Sequence, residues 1–232
     1  MSITIRPSKM FLYEVLAREL GKARSGYGLD AAAADMKNRW MFKTDAYVGL
    51  DIDAARLEAG LRRAGPGPAA WALEADMTGR VPLPDGFFQA VVSSNTLYCL
   101  SEPARLAAIA ELARLTAPGG VLLCETPIDD DAARLLAEAF RDVHAVYFKN
   151  PFSRFYERLF EDDRGWLGSH PIAGARPFRL LAWLISRLEY LTAGSRSMNA
   201  HVLYVCRGKK GAAAAPDRSE AGRRLAAVAR RA

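Results

Sequence analysis

Three carboxylates follow three short apolar runs in the first third of the chain, each where a strand would end. Asp30 closes YGLD, Asp51 closes AYVGLD and Asp76 closes WALEAD. A carboxylate after a second strand can accept hydrogen bonds from both hydroxyls of a ribose, and one after a third strand can accept from an adenine amino group. Asp51 also follows the first loop by about twenty residues, as that geometry requires. The pattern favours an adenosine-containing ligand, with helix capping as the alternative role of any single aspartate.

The elements that would position these carboxylates alternate in type along the chain. Strands are predicted at 27–31, 46–52, 69–76, 87–95, 120–127, 143–149 and 199–207. Helices are predicted at 8–23, at 102–117 before Pro118-Gly119-Gly120, and at 129–142, which has acids in its first turn. Because alternating strands and helices form parallel sheets, ligands are expected at the carboxyl ends of the strands.

Residues 150–192 interrupt the alternation and are too long for a hairpin loop, so we interpret them as an inserted helical cap. The last part, 178–191, is a strongly apolar helix: it packs on the domain, covers the substrate, or makes a weak contact with a membrane surface. Aromatic and basic residues of the insertion suit an anionic or glycan-like substrate, with ordinary packing as the alternative; they are Phe152, Arg154, Phe155, Tyr156, Arg158, Trp166 and Arg176.

The net charge of +6 is located in the C-terminal tail. Residues 207–232 hold eight Lys or Arg and two acids, so the remainder of the chain is neutral. A nucleic-acid partner is therefore not expected, although the tail has the charge to attract an anionic lipid or RNA. We predict a domain at 1–207 and a basic, disordered tail at 208–232, with a basic helix from about 217.

Other classes of protein lack their signals in this sequence. No run of 18 apolar residues and no signal peptide is recognised. Cys99, Cys124 and Cys206 are too scattered for a disulfide framework or a zinc site, which favours a cytoplasmic location. No metal-ligand spacing, nucleophile elbow or P-loop is present, so no metal is expected.

The segment from Tyr27 to Pro127 resembles the class I S-adenosylmethionine-dependent methyltransferases, in particular the small-molecule group. Four features carry the resemblance: an acid after the third strand, a proline-rich bend, a phenylalanine opening the fourth strand, and Pro-Gly-Gly before the fifth. Here they are Asp76, the segment 82–86, Phe88 and the segment 118–120, while Gln89 replaces the usual aspartate. The resemblance implies a Rossmann-like doubly wound α/β fold with a mostly parallel seven-stranded sheet, an antiparallel last strand and the inserted cap.

The same resemblance implies a role for each residue around S-adenosylmethionine. Asp51 would hold the ribose, Ile52 would pack on the adenine, and Asp76 with the backbone N–H of Met77 would bind the adenine edge. Asn95 would lie near the methionine moiety, and Asp30 would orient the first loop.

The first loop departs from the family pattern, which places glycine two, four and six residues after the acid. This chain has Ala32, Ala34 and Met36 at those positions. Glycine suits them because the backbone approaches the ligand and adopts positive φ. Alanine at positive φ costs about 1 kcal/mol per residue, so the loop predicts weakened cofactor binding.

The function predicted is methyl transfer from S-adenosylmethionine to a small molecule or a cell-envelope or glycan precursor. The alternatives are a catalytically silent methyltransferase-like binding or scaffold protein, and an enzyme of the same fold that uses another nucleotide. A strong base is not obligatory for methyl transfer, and the weak catalytic candidates are His170, Tyr98 and Glu125. His144 and His201 lie in strand-like runs and are taken as structural. The oligomeric state is left open.

Overall fold

The computed structural model describes residues 6–63, 67–160, 175–211 and 218–231. The helices in these ranges are α1 Pro7–Leu20, α2 Ala54–Arg62, α3 Glu102–Leu115, α4 Asp130–Ala139, α5 Pro151–Phe160, α6 Arg176–Thr192 and α7 Arg218–Val228. The strands are β1 Tyr27–Ala31, β2 Ala46–Asp51, β3 Ala69–Glu74, β4 Phe88–Ser93, β5 Thr116–Pro127, β6 Phe140–Phe148, β7 His201–Lys209 and β8 Arg230–Arg231. Two single-turn 3₁₀ helices span Arg39–Met41 and Leu97–Cys99.

The eight described strands form one sheet in the order β6-β7-β5-β4-β1-β2-β3-β8. Strand β1 pairs in parallel with both β2 and β4, β2 pairs in parallel with β3, and β4 pairs in parallel with β5. Chain order reverses at β1, because the chain continues to β2 on one side and reaches β4 on the other. In doubly wound sheets, ligands bind in the crevice at this switch point. The predicted Rossmann-like α/β fold is confirmed.

The strands around the switch point are buried along nearly their whole length. All six residues of β2 are buried, and Leu29, Val91 and Leu122 are fully inaccessible in β1, β4 and β5. Near-continuous apolar strands are typical of a parallel sheet that is covered on both faces. This rigid core holds the loops that follow β1, β2 and β4.

Strand β5 begins earlier than the sequence predicted. The helix before it ends at Leu115, and Thr116 already pairs with Phe88. The register then shifts between Phe88 and Ala90, where a Cβ at Gly120 would lie 2.9 Å from the carbonyl oxygen of Gln89. Gly120 is therefore part of the strand, and its missing side chain permits the irregular pairing.

The chain divides into two compact units. The first comprises the described residues within Met1–Leu16 and Ala145–Leu203, and the second those within Ala17–His144 and Tyr204–Ala232. In the first unit, α5 and α6 share a core of Tyr156, Phe160 and Ala182. The helix predicted at 178–191 is confirmed as α6, whereas residues 161–174, including His170 and Trp166, lie outside the described residues.

The described part of the C-terminal tail contains regular structure in the second unit. Helix α7 buries Ala221 and Leu225, and β8 pairs antiparallel with β3. The guanidinium of Arg231 lies 5.5 Å from the ring centre of Trp71. The basic helix predicted from about 217 thus coincides with α7, while the eighth strand had no signal in the sequence. The predicted domain boundary at 207 stays a prediction.

Candidate functional site

The first carboxylate, Asp30, lies near the end of β1 and is almost completely buried. Its Oδ2 accepts a hydrogen bond from the hydroxyl of Tyr47 at 2.8 Å, and its Oδ1 accepts from the side-chain amide of Asn38 at 3.4 Å. Burial raises the pKa of Asp30 from 3.8 to about 6, and the two hydrogen bonds oppose that rise. Tyr47 belongs to β2 and Asn38 follows the loop. Asp30 therefore links the end of β1 to β2 and to the segment after the loop.

The loop after β1 has the backbone conformation of a glycine-rich loop although it contains no glycine. The φ angles of Ala32, Ala34 and Met36 are 62°, 48° and 58°, all in the left-handed region. These are the three positions where the family pattern has glycine. Ala33 between them has no positive φ, and its N–H donates to the carbonyl of Leu50 at 2.9 Å. Each of the three residues therefore adopts a backbone conformation that glycine adopts more readily, with backbone strain at each position.

The second carboxylate, Asp51, joins this loop to the end of β2. The N–H of Ala34 donates to its Oδ2 at 2.8 Å, and the N–H of Asp53 donates to its Oδ1 at 3.1 Å. Asp30 pairs with Gly49, and Asp51 follows two residues later, so both carboxylates belong to the same face of the sheet. An ionised carboxylate has about four acceptor positions, so Asp51 retains capacity for two ribose hydroxyls.

Ile52 follows Asp51 and is 73% exposed, which is unusual for a large aliphatic side chain that adjoins a buried strand. Asp53 after it caps α2 by accepting from the N–H of Arg56 at 3.0 Å. Asp53 thus serves as the helix cap, so Asp51 is not needed for that role and its carboxylate is the candidate for binding a ligand. An exposed apolar side chain beside a ribose-type acceptor can pack against a flat aromatic ring.

The third carboxylate, Asp76, is exposed after β3. Its Oδ1 accepts from the N–H and the hydroxyl of Thr78, both at 2.8 Å. Its Oδ2 has no partner in the described part of the chain, and within the same residues the N–H of the buried Met77 donates to nothing. One acceptor and one donor are thus adjacent in the chain, as recognition of an adenine edge requires.

The residues after β4 and β5 are joined by one short contact. Asn95 has φ of 59°, and its N–H donates to Oε2 of the buried Glu125 at 2.5 Å. Tyr98, in the 3₁₀ turn that follows, is 46% exposed. Glu125 therefore supports the chain at Asn95, and the partly exposed Tyr98 follows three residues later.

Sequence reasoning missed Tyr47 and the role of Met36. Strand alternation could have indicated Tyr47, because it precedes Gly49 by two residues and so belongs to the same face as Asp30. The Met36 side chain is buried: a Cβ at Gly49 would lie 2.9 Å from its Cε, and one at Gly60 would lie 2.8 Å from its Cγ. These two glycines had no signal of their own.

The two histidines in the described ranges, His144 and His201, both lie in edge-side strands of the sheet, away from β1, β2 and β3. His144 lies in β6 and His201 begins β7, with its ring centre 5.7 Å from that of Phe148. Among the described residues, no group of three or more His, Cys, Asp or Glu side chains is arranged to hold a metal ion. The chemistry that these residues can support is ligand binding and alignment.

The comparisons with known proteins agree with this geometry. Residues 23–120 match the family model described as "Methyltransferase domain". No curated protein matches the sequence. The N-methyltransferase NodS from Bradyrhizobium japonicum WM9 is similar in structure, with a TM-score of 0.55, 14% identity and coverage of 87% of this chain and 97% of that chain.

Two further structures have a similar fold. The geranyl diphosphate C-methyltransferase from Streptomyces coelicolor A3(2) has a TM-score of 0.53 and 14% identity, with 86% of this chain and 79% of that chain covered. The 4+2 cyclase SpnF has a TM-score of 0.52 and 15% identity, with 84% and 80% covered. At such identities the likeness concerns the fold.

The matched domain spans the loop after β1 and the strands that carry all three carboxylates, so the chain contains a methyltransferase domain. The domain match and the shared fold agree with the resemblance to the class I S-adenosylmethionine-dependent methyltransferases, for which S-adenosylmethionine is the expected cofactor. The residues present fit that cofactor, because a left-handed loop, a carboxylate with spare acceptor capacity and an exposed Ile52 occur together.

Proposed function

We propose that the chain methylates a small molecule or a cell-envelope or glycan precursor, and that it binds the cofactor at the carboxyl edge of β1, β2 and β3. The observation that carries this site is the bond between the N–H of Ala34 and Asp51 at 2.8 Å, made by a loop with left-handed backbone at all three glycine positions. In this proposal Ala34 borders the methionine side of the cofactor and Asp51 borders its ribose side, and the bond between them supports one continuous site.

The proposed roles follow the order of the strands. Asp51 accepts from the ribose hydroxyls, Ile52 packs on the adenine, and Asp76 with the Met77 N–H binds the adenine edge. Asp30 holds the loop through Tyr47 and Asn38, so that the backbone at Ala32 and Ala34 faces the methionine moiety. Asn95, with its left-handed φ, borders the same moiety.

S-adenosylmethionine supplies an electrophilic methyl group when it is bound. The protein's own residues align the accepting atom with that methyl group, and alignment alone can account for much of the rate. Tyr98 and Glu125 are proposed to position the substrate; His170 remains the proposed base for an oxygen nucleophile. Glu125 also fixes Asn95, so its substitution would affect cofactor and substrate together.

The substrate class rests on composition and on the chemistry of similar proteins. The structure of geranyl diphosphate C-methyltransferase contains geranyl diphosphate, Mg2+ and S-adenosylhomocysteine. In this chain, α5 exposes Phe152, Arg154 and Phe155, a mixture that suits an anionic or glycan-like molecule. A cytoplasmic location is part of the same proposal.

The site assignment predicts that Asp51→Asn weakens S-adenosylhomocysteine binding by about ten- to a hundredfold, because one ribose acceptor is lost. Asp53→Asn is the matched control: it removes the same charge two residues away, at a position that only caps α2. Isothermal titration calorimetry measures both affinities. Ile52→Ala should also weaken binding, and it should leave the free energy of unfolding nearly unchanged because the side chain is exposed.

The assignment is wrong if Asp51→Asn and Asp53→Asn bind equally well. Transfer of a labelled methyl group to candidate acceptors then tests the reaction separately. If cofactor binding is intact but no small molecule or envelope precursor is methylated, the proposed substrate class is wrong while the site stands.

A further inference from the structure

Helix α6 exposes a leucine-rich surface in the first unit. We call Leu180, Leu181, Trp183, Leu184 and Leu191 the leucine face; these side chains are between 42% and 82% exposed. The opposite side of the helix is buried through Ala182, Ser186, Glu189 and Thr192. At 100° per residue the exposed side chains occupy one continuous arc. Helix α6 therefore packs on its unit through Ala182, Phe178 and Ile185 together with buried polar residues, and it presents a second, leucine-rich side outward.

The exposed charges that the described residues of helices α5 and α6 themselves carry are positive. Helices α5 and α6 contain one acid each, Glu157 and Glu189, and both are buried. Glu157 accepts from the N–H of Ser8 at 3.2 Å, and Glu189 accepts from the N–H of Lys149 at 3.0 Å. The unit uses both acids internally, so neither offsets the arginines of the surface.

Four arginines on the two helices are exposed: Arg154, Arg158, Arg176 and Arg179. Arg187, also on α6, is bound by Glu14 and so contributes little net charge. Arg176 and Arg179 lie in the first turn of α6, where the helix dipole disfavours cations. The helix dipole therefore does not explain their position.

We propose that the leucine face and its arginines bind the surface of an anionic lipid membrane, with α6 lying in the interface. The apolar arc suits the boundary between head groups and acyl chains, and the arginine rim suits anionic head groups. Within the described residues, no helix is long and apolar enough to cross a bilayer. A nucleic acid would leave the leucines exposed, and a second copy of the same face would place arginines against arginines.

Flotation of the full-length protein with vesicles tests this surface. Vesicles of phosphatidylcholine with phosphatidylglycerol should bind the protein, and phosphatidylcholine alone should bind it much more weakly. The double variant Leu180→Asp/Leu191→Asp should lower the partition coefficient by about tenfold or more, because two apolar side chains leave the interface. Met198→Asp is the matched control, an exposed apolar residue of the same unit outside both helices.

A charge variant tests the same surface without altering the leucines. Arg179→Glu should reduce binding to anionic vesicles by about fivefold or more. Arg223→Glu makes the same charge change on α7 and should leave binding unaltered; a loss there would assign the contact to the tail and overturn the proposal. Circular dichroism and urea unfolding verify that each variant is folded.

Three other results would also overturn it: equal binding to neutral and anionic vesicles, equal loss with Met198→Asp, or no binding at all. Sedimentation velocity identifies the main rival, because a dimer that dissociates in Leu180→Asp/Leu191→Asp would make a second copy the occupant. None of these readouts depends on cofactor binding, so the outcome is independent of the proposed function.

Discussion

The two ends of the loop after β1 have the same backbone conformation and different surroundings. Ala32, Ala34 and Met36 all have left-handed φ. Ala32 and Ala34 are partly exposed, with only a methyl group each, whereas the Met36 side chain is buried against Gly49 and Gly60. At the front of the loop (Ala32 and Ala34), glycine is replaced by the smallest side chain that has a Cβ. At the back of the loop (Met36), a large side chain packs into the protein interior.

This difference distinguishes two properties of glycine: its freedom to adopt positive φ and the space left by its missing Cβ. Freedom at positive φ is lost at all three positions, which costs about 1 kcal/mol for each residue in folding stability. The space that a missing Cβ provides is instead found at Gly49 and Gly60, where it accommodates the Met36 side chain. Since the strained backbone is already present in the unliganded chain, its free-energy cost burdens folding rather than cofactor binding.

The largest effect is expected at the back of the loop. Met36→Ala should lower the free energy of unfolding by about 3 kcal/mol, because it leaves a cavity and retains the φ strain. Gly49→Ala should be destabilising in the wild-type chain, since its Cβ would lie 2.9 Å from Met36 Cε, and much less so in the Met36→Ala background. Urea unfolding of the two single variants and the double variant measures the coupling. Purely additive effects would show that Met36 does not fill this space.

Asp30 precedes the loop and accepts a hydrogen bond from Asn38 after it. Its raised pKa predicts that the free energy of unfolding depends on pH. The folded carboxyl keeps its proton up to about pH 6, whereas the unfolded one loses it near 3.8. This contribution to stability is therefore complete below pH 3.8 and is lost as pH rises to about 6. The advantage of Asp30→Asn over the wild type should grow across that window, by about 3 kcal/mol. Urea unfolding at several pH values measures it; a difference that is constant with pH would contradict the assignment.

The smallest effect is expected at the front of the loop. Ala32→Gly and Ala34→Gly should each raise the free energy of unfolding by about 0.5–1 kcal/mol, because released strain exceeds the added chain entropy. Ala33→Gly is the matched control, because the φ of Ala33 is not positive and its methyl group is buried. This variant should lower the free energy of unfolding by about 1 kcal/mol. Thermal unfolding followed by circular dichroism compares the three. Equal destabilisation by all three would show that the loop is not strained.

The sequence predicted the sheet and the positions of the carboxylates because these follow from short-range patterns. Apolar runs that end in aspartate located β1, β2 and β3 to within two residues at each boundary. The loop's φ angles could be suspected only from the family pattern. The helix at 102–117 was predicted too long because Pro118-Gly119-Gly120 was taken as the stop signal, whereas pairing of Thr116 with Phe88 ends it.

Other features depend on contacts between distant residues and had no local signal. Tyr47 bonds Asp30 across two strands, and Gly49 and Gly60 make room for a side chain more than ten residues away. Strand β8 consists of Arg230 and Arg231 and lacks any strand-like composition. Such features appear only when the register of the sheet is known.

The central claim is that a loop of alanines in glycine-like conformation still forms a cofactor site. The most direct measurement is calorimetric titration of the wild-type chain and of Ala32→Gly/Ala34→Gly with S-adenosylhomocysteine and S-adenosylmethionine, with NAD as control ligand. Because the strain is already present before binding, both proteins should bind the two sulfur ligands in the micromolar range, with affinities within about threefold of each other. If the folded wild type binds neither ligand up to millimolar concentration while the glycine variant binds both, the alanine methyls block the site and the claim is wrong.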